Sequence, residues 1–427
     1  MQPPPAPSTP PPPGPPAPEG SPAAEPELPP RQLLVDGSLA AGLVAVLGLI
    51  LLVDRGCSGS KPGPGSRGDG GVAFEVIEEP PGPALPVGPP RLAVTPPAFD
   101  DMGSLLVTLG EGYRFDDLAM EDLLKPERLA DYDVVFVTCG YVPNDWVGER
   151  LREDERSGGG HYAVRPETAD RLTRSLQGFV ASGGTLYVSD RFFQLLLIAF
   201  PEMIDPANVA DGAAGSVEAE VVDPGLRKRL GPTVKLKFDK PAWRPAALRG
   251  PNVTTYLRGT YRTVGGEVRN GPLLVRFPFE QGHVIFTSFH NEKQNSETER
   301  ELLRYLVFTT VTAETDARVG RTLVRSGLSP VDRSLFSASP EKPSFTQVYE
   351  CKGGQTLQFV LGFEGRGAEL ELTVEDPGGR RFQQTGTSTF TVEVPEATEG
   401  PWRYTVRPIE VPYENFPFTL TIGARRP

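Results

Sequence analysis

The chain has 427 residues with 47 glycines and 47 prolines, so about a fifth of it is the two residues that most often interrupt helices and strands. Fifteen of the prolines lie in the first 30 residues and ten more between Gly56 and Gly103, which argues against one compact domain and leaves about 320 residues of globular composition, enough for two. The formal charge is -12, and the three Trp and eleven Tyr do not interleave with basic runs, so a nucleic-acid partner is excluded.

Cys57, Cys139 and Cys351 sit far apart, without a CxxC spacing or an even-numbered framework, so neither a structural zinc module nor a disulfide scaffold is expected. Residues 1–32 are a Pro/Ala-rich stretch that cannot bury enough apolar surface to offset chain entropy, and read as a disordered or polyproline II tail. The run GSLAAGLVAVLGLILLV at 37–53 carries no charge, and with Leu33 to Val35 it is long enough for one transmembrane helix at 33–54. About 30 residues precede it and its cationic start is weak, which favours an anchor over a cleaved signal. Cys57 follows Asp54-Arg55-Gly56, a poor lipoprotein processing site. Arg31 alone lies before the span and Arg55, Lys61 and Arg67 after it, which mildly favours a cytoplasmic carboxyl-terminal portion. Residues 55–103 read as a flexible Gly/Pro linker.

Residues 104–315 read as an α/β domain in which apolar strands alternate with amphipathic helices. SLLVTL (104–109) is expected as the first strand, FDDLAMEDLL (115–124) as a helix, and YDVVFVT (132–138) as a second strand buried on both faces. A helix follows at 166–181, with Pro166 in its first turn, Leu172, Leu176, Phe179 and Val180 on one face, and Gly183-Gly184 closing it. TLYVS (185–189) is the third strand, and FFQLLLIAF after Asp190-Arg191 a buried helix. VKLKF, TTYLR, LLVRF and HVIFTSF read as short strands, several antiparallel. In SETERELLRYLVFTT, Ser296 and Glu299 form a capping box ahead of an apolar helical face. The charged stretch at 140–165, with Asn144-Asp145-Trp146, is long for a strand-to-helix connection and reads as a solvated insertion or a lid. His161 within it and His283 share no metal-binding spacing with His290, so no metal and no cofactor are expected.

This order of parts resembles the class I glutamine amidotransferase-like fold, of the trehalose-utilisation type, over 104–311. The resemblance implies a flavodoxin-like, mostly parallel sheet with flanking helices. It implies that Thr138-Cys139-Gly140 is the oxyanion-type turn, with Cys139 and Gly140 supplying its amides. Ser189-Asp190-Arg191 then stands at the nucleophile elbow, and Phe289-His290-Asn291-Glu292 at the His/Glu element. Asp190 occupies the place of the nucleophilic Cys, and Asn291 that of a Pro. A carboxylate is a far weaker nucleophile toward an amide than a thiolate, so amidotransferase activity is not expected. Cys139, ending an apolar run, reads as a small buried hydrophobe. Asp190, His290 and Glu292 either form a pocket at the strands' carboxyl ends or bond one another and cap neighbouring helices.

Residues 316–342 read as a linker, so the domains on either side are expected to be separable. From 343 to 427, short strands separated by Gly, Pro and Asp turns indicate an antiparallel β-sandwich. PGGRRF, EGPWRYTV and FTLTIG resemble the pre-peptidase carboxyl-terminal domains of exported bacterial proteins, which implies an extracytoplasmic location and outweighs the Lys/Arg balance. The expected function is therefore a single-pass, membrane-anchored envelope pseudoenzyme used for ligand binding or protein assembly, with a protein or carbohydrate partner on the sandwich. The alternative is a hydrolase of a small polar or carbohydrate ligand using Asp190, His290 and Glu292.

Overall fold

The computed structural model describes residues 89–140, 142–150, 162–294, 296–339, 344–363 and 367–425. The expected tail, span and most of the 55–103 linker lie outside the described residues. Among the described residues no helix is long and apolar enough to cross a membrane, so none of them provides the expected single-pass anchor or supports the expected membrane localisation; the 33–54 stretch lies outside them.

The strands in chain order are β1 (Leu92–Val94), β2 (Phe115–Asp117), β3 (Val134–Val137), β4 (Val147–Arg150), β5 (Tyr162–Val164), β6 (Thr185–Ser189), β7 (Gly215–Val221), β8 (Thr233–Phe238), β9 (Thr254–Arg262), β10 (Val268–Phe279) and β11 (Gly282–Thr287). The helices among and after them are α1 (Met102–Val107), α2 (Pro126–Leu129), α3 (Pro166–Ala181), α4 (Phe193–Ala199), α5 (Pro224–Leu230), α6 (Glu297–Val311) and α7 (Ala313–Arg325). Nine strands form one sheet in the order β2-β1-β3-β6-β11-β10-β9-β7-β8, and β4 and β5 pair separately. The pairings β2/β1, β1/β3, β3/β6 and β6/β11 are parallel. The pairings β11/β10, β10/β9, β9/β7 and β7/β8 are antiparallel. The expected mostly parallel sheet is thus corrected to a mixed one, in a molecule that is mainly sheet with few helices. The antiparallel half follows from the short connections after Pro201, which cannot hold the crossover that parallel neighbours require.

Alternation along the central strands feeds two cores. Leu92, Val94, Phe136, Tyr187 and Ile285 face one layer with Leu302 and Leu306 of α6. Ala93, Val135, Val137, Leu186, Val188, Val284 and Phe286 face the other, with Leu172 and Leu176 of α3 and Phe193 and Leu196 of α4. The α6 helix starts from the expected capping box, Ser296 with Glu299.

Two early assignments are exchanged. The expected strand at 104–109 is largely helix α1, because the Asp101 side chain accepts from the Ser104 N–H and fixes a helix start. Its buried residues Met102 and Leu106 are four apart, a helical spacing that a short apolar run alone does not disclose. The expected helix at 115–124 is strand β2 followed by a short 3-10 turn at Met120–Leu124. The true first strand, β1, lies inside the stretch read as linker.

Beyond α7 come β12 (Ser329–Ala338), β13 (Phe345–Cys351), β14 (Gln355–Gly362), β15 (Glu369–Glu375), β16 (Arg381–Gly386), β17 (Phe390–Ala397), β18 (Gly400–Glu410) and β19 (Phe416–Ala424). They form two four-stranded antiparallel sheets, β12-β19-β14-β17 and β13-β18-β15-β16, closed over a core that includes Phe359, Trp402, Tyr404 and Phe418.

Residues 316–342, read as a linker, hold most of α7 and all of β12. Val319 and Leu323 of α7 pack with Leu328 and with Val360 of β14. Asp316 is paired with Arg333 of β12, and lies 3.4 Å from Arg276 of β10. The Tyr113 hydroxyl donates to the Asn415 carbonyl at 2.7 Å, and Asn415 Nδ2 returns a bond to the Leu109 carbonyl at 2.9 Å. The α/β part and the sandwich are therefore packed together.

Candidate functional site

Strands β3, β6 and β11 are neighbours in the parallel half of the sheet, and the residues just past their carboxyl ends converge: Cys139 after β3, Asp190 after β6 and His290 after β11. Asp190 sits on the sharp turn between β6 and α4 with φ at 45°, a left-handed conformation that Asp adopts more readily than most residues. The expected elbow is present in shape, with a carboxylate at its tip.

All three side chains are buried, to 0% exposure for Cys139, 2% for Asp190 and 4% for His290. Asp190 Oδ1 accepts the Arg244 backbone N–H at 2.8 Å. Its Oδ2 lies 3.0 Å from His290 Nε2 and 3.7 Å from Cys139 Sγ. The His290 contact is an ion-pair approach without hydrogen-bond alignment, which leaves Nε2 with no aligned acceptor. On its other side, His290 Nδ1 bonds Asp239 Oδ1 at 2.8 Å. Burial opposes charge on His290, but Asp190 and the Cys139 sulfur outweigh it and push its pKa up to about 11. Burial pushes the Cys139 thiol up, despite the His290 contact that lowers it. A protonated thiol is a poor nucleophile.

The oxyanion-type turn is occupied by its own structure. The Cys139 N–H donates to Ser189 Oγ at 2.8 Å, and the Cys139 carbonyl accepts from the amides of Phe99 and Asp100. Gly140 lies against Ala98 and Phe192. Asn291 is tied to Asp100: its N–H donates to Oδ1 at 2.7 Å and its Nδ2 to Oδ2 at 2.8 Å. Ser189 Oγ donates to the same Asp100 Oδ2 at 3.0 Å, and Asn291 Nδ2 also reaches the Tyr187 hydroxyl at 2.9 Å. Burial and the nearby Asp100 keep that tyrosine protonated.

The structure thus brings together Asp190, His290 and Cys139 from the sequence reading. Glu292 belongs to the short turn Asn291–Lys293, and its side chain lies outside what is described. His283 is at the opposite end of β11, where burial lowers its pKa to about 4. His161 is outside the described residues. In the 140–165 stretch, Trp146 is buried and β4 and β5 form a hairpin-like pair whose connection at 151–161 is outside the described residues.

Sequence reasoning missed Asp100, Asp239, Arg244 and Asp211. Arg244 Nη1 lies 2.6 Å from Asp211, whose carboxyl is pushed up to about 6 by burial although Arg244 opposes the shift. All four sit in segments without a motif, and only the three-dimensional chain path brings them near Asp190. Beside the cluster is a narrow crevice, lined by Asp190, Asp239, Lys240, Trp243, Ser288 and His290 among others, and too tight for a water molecule. Cys139 Sγ, an Asp190 oxygen and a His290 nitrogen lie within 4.8 Å of one another, a donor set that could hold a metal ion.

No family model matches the chain, and no curated protein matches it. Among solved structures, a cytoplasmic protein of Salmonella typhimurium overlaps at a TM-score of 0.28 and 14% identity, over 50% of this chain and 96% of that one. A glutamine amidotransferase of Thermotoga maritima overlaps at 0.29 and 13%, over 55% and 95%. A β-galactosidase of Bacillus circulans sp. alkalophilus overlaps at 0.29 and 12%, over 74% and 41%. Likenesses this faint carry no argument, and the turn after β6, the strand order β1-β3-β6-β11 and the His-bearing strand end stand by themselves.

Proposed function

We propose that the α/β part is an amidotransferase-like module used for ligand binding or protein assembly, and not for thiol-dependent amide hydrolysis. The observation that carries this reading is Asp190 itself. It takes the elbow position at φ 45°, is buried, and engages Arg244 through one oxygen and His290 through the other. A negative charge there repels the oxyanion that amide attack would create, and the Cys139 amide that could have stabilised it is already spent on Ser189. The hydrolase alternative gains no support, because both Asp190 oxygens are engaged and the crevice beside them admits no substrate.

The test is labelling of the purified full chain with a glutamine analogue bearing an electrophilic carbon at the amide position, followed by mass spectrometry of the peptide containing Cys139. We expect no adduct on Cys139 in the folded protein. A stoichiometric adduct that excess glutamine prevents would show a working thiol site and overturn the reading.

A further inference from the structure

We propose that Cys139, Asp190 and His290 form a binding site for a divalent late-transition-metal ion, zinc foremost, with Asp239 orienting the His290 ring. The inference rests on the reading above that Asp190 is not a nucleophile.

Geometry comes first. The three donor atoms lie within 4.8 Å of one another, with Asp190 Oδ2 at 3.7 Å from the Cys139 sulfur and 3.0 Å from His290 Nε2. Tetrahedral zinc, with bonds of about 2.0 Å to oxygen and nitrogen and about 2.3 Å to sulfur, separates such donors by roughly 3.3 to 3.5 Å. Two of the three donor pairs therefore stand within a few tenths of an ångström of a coordinating separation, and the third, between the Cys139 sulfur and the His290 nitrogen, lies within 4.8 Å. The three residues follow the carboxyl ends of three adjacent parallel strands.

The second observation is the His290 nitrogen that faces Asp190 at 3.0 Å. His290 is 4% exposed, yet its Nε2 has no aligned hydrogen-bond acceptor and points among the Asp190 and Cys139 donors. Its other nitrogen is held by Asp239 at 2.8 Å, the carboxylate–histidine arrangement that fixes a ring with Nε2 toward a metal. Charge agrees with this. An Asp190 carboxylate and a Cys139 thiolate together neutralise a divalent cation, which lowers the cost of burying it. The mixed sulfur, nitrogen and oxygen donors favour zinc or cobalt over magnesium or calcium, which take oxygen ligands. On binding, the Cys139 sulfur gives up its proton and His290 Nε2 any proton it carries; both leave to solvent, and no electron is transferred.

The test strips the full chain with a chelator and titrates it with Co²⁺, then with competing Zn²⁺. We expect one Co²⁺ per chain, visible bands of tetrahedral cobalt and a near-ultraviolet thiolate-to-cobalt charge-transfer band, all displaced by Zn²⁺. Cys139→Ser should remove the charge-transfer band, and Asp239→Asn should weaken Zn²⁺ binding by about 10- to 100-fold. Should Cys139→Ser fail to fold, X-ray absorption of the zinc-loaded wild type should still show one sulfur ligand. Failure to bind a stoichiometric ion, or cobalt bound without sulfur, would overturn the proposal. Glutamine-analogue labelling separates the two readings: no metal and an unlabelled Cys139 sink this one alone, whereas a labelled Cys139 sinks both.

Discussion

Asp190 Oδ2 and His290 Nε2 meet at 3.0 Å across the carboxyl ends of two adjacent parallel strands, 100 residues apart in sequence. A carboxylate in the elbow and a histidine on the neighbouring strand end turn what would be a reactive pair into a buried ion pair. On the proposed function, the stability of the site and its inertness toward amides follow from the same contact.

Asp190→Ala should therefore destabilise the protein by about 3 kcal/mol, because it removes the partner of a buried histidine and leaves the Arg244 amide without its acceptor. Asp190→Asn keeps an acceptor and a residue tolerant of left-handed backbone, and should cost less. Chemical denaturation of the two variants measures the difference; equal stabilities for Ala and wild type would show that the contact contributes nothing.

Asp100 and Asp101 make a paired comparison. Asp100 accepts from Asn291 twice and from Ser189, all in the interior, so Asp100→Ala should cost about 3 kcal/mol by leaving buried donors unmet. Asp101 only caps the exposed start of α1, and Asp101→Ala should cost about 1 kcal/mol. Reversed magnitudes in denaturant titrations would mean that the hub is misassigned.

His283 should make the protein acid-sensitive. Burial depresses its pKa from 6.5 to about 4, opposed by Asp316 and assisted by Arg276 and Arg321. For a base with a lowered folded-state pKa, the unfolded chain takes up the proton first as pH falls. Stability is thus undiminished above about pH 6.5 and falls between there and about pH 4, by about 3 kcal/mol. His283→Gln, neutral throughout, should flatten that part of the stability profile, and an unchanged slope would remove His283 as its cause.

Truncation after residue 315 should not leave a soluble α/β domain. It removes Val319 and Leu323 of α7, the Asn415 bonds to Tyr113 and Leu109, and Asp316, the ion-pair partner of Arg276. Size-exclusion chromatography of the shortened chain should show aggregation, whereas a monodisperse, folded product would show that the shared interface is dispensable.

The contrast between legible and illegible features has a physical basis. Helix α6 was readable because Ser296 and Glu299 state its start and its apolar face repeats at helical spacing. Helix α3 was readable from Pro166 and the Gly183-Gly184 stop. Sequence 104–109 was not, since SLLVTL is apolar under either period and only the Asp101 cap decides it. Asp190 and His290 were legible because each ends an apolar strand where a resemblance supplied a role. Asp239, Arg244 and Asp100 were not, because their importance comes from a chain path that brings residues between 51 and 191 positions apart into contact.

The most direct measurement of the central claim is ammonia release from glutamine by the purified full chain, beside Cys139→Ala and an Asp190→Cys variant that returns a thiol to the elbow. Wild type and Cys139→Ala should both release ammonia only at the background rate, since the elbow carries a buried carboxylate and the Cys139 amide is already bonded to Ser189. Hydrolysis by wild type that Cys139→Ala abolishes would contradict the account and make this chain a thiol-dependent amidohydrolase.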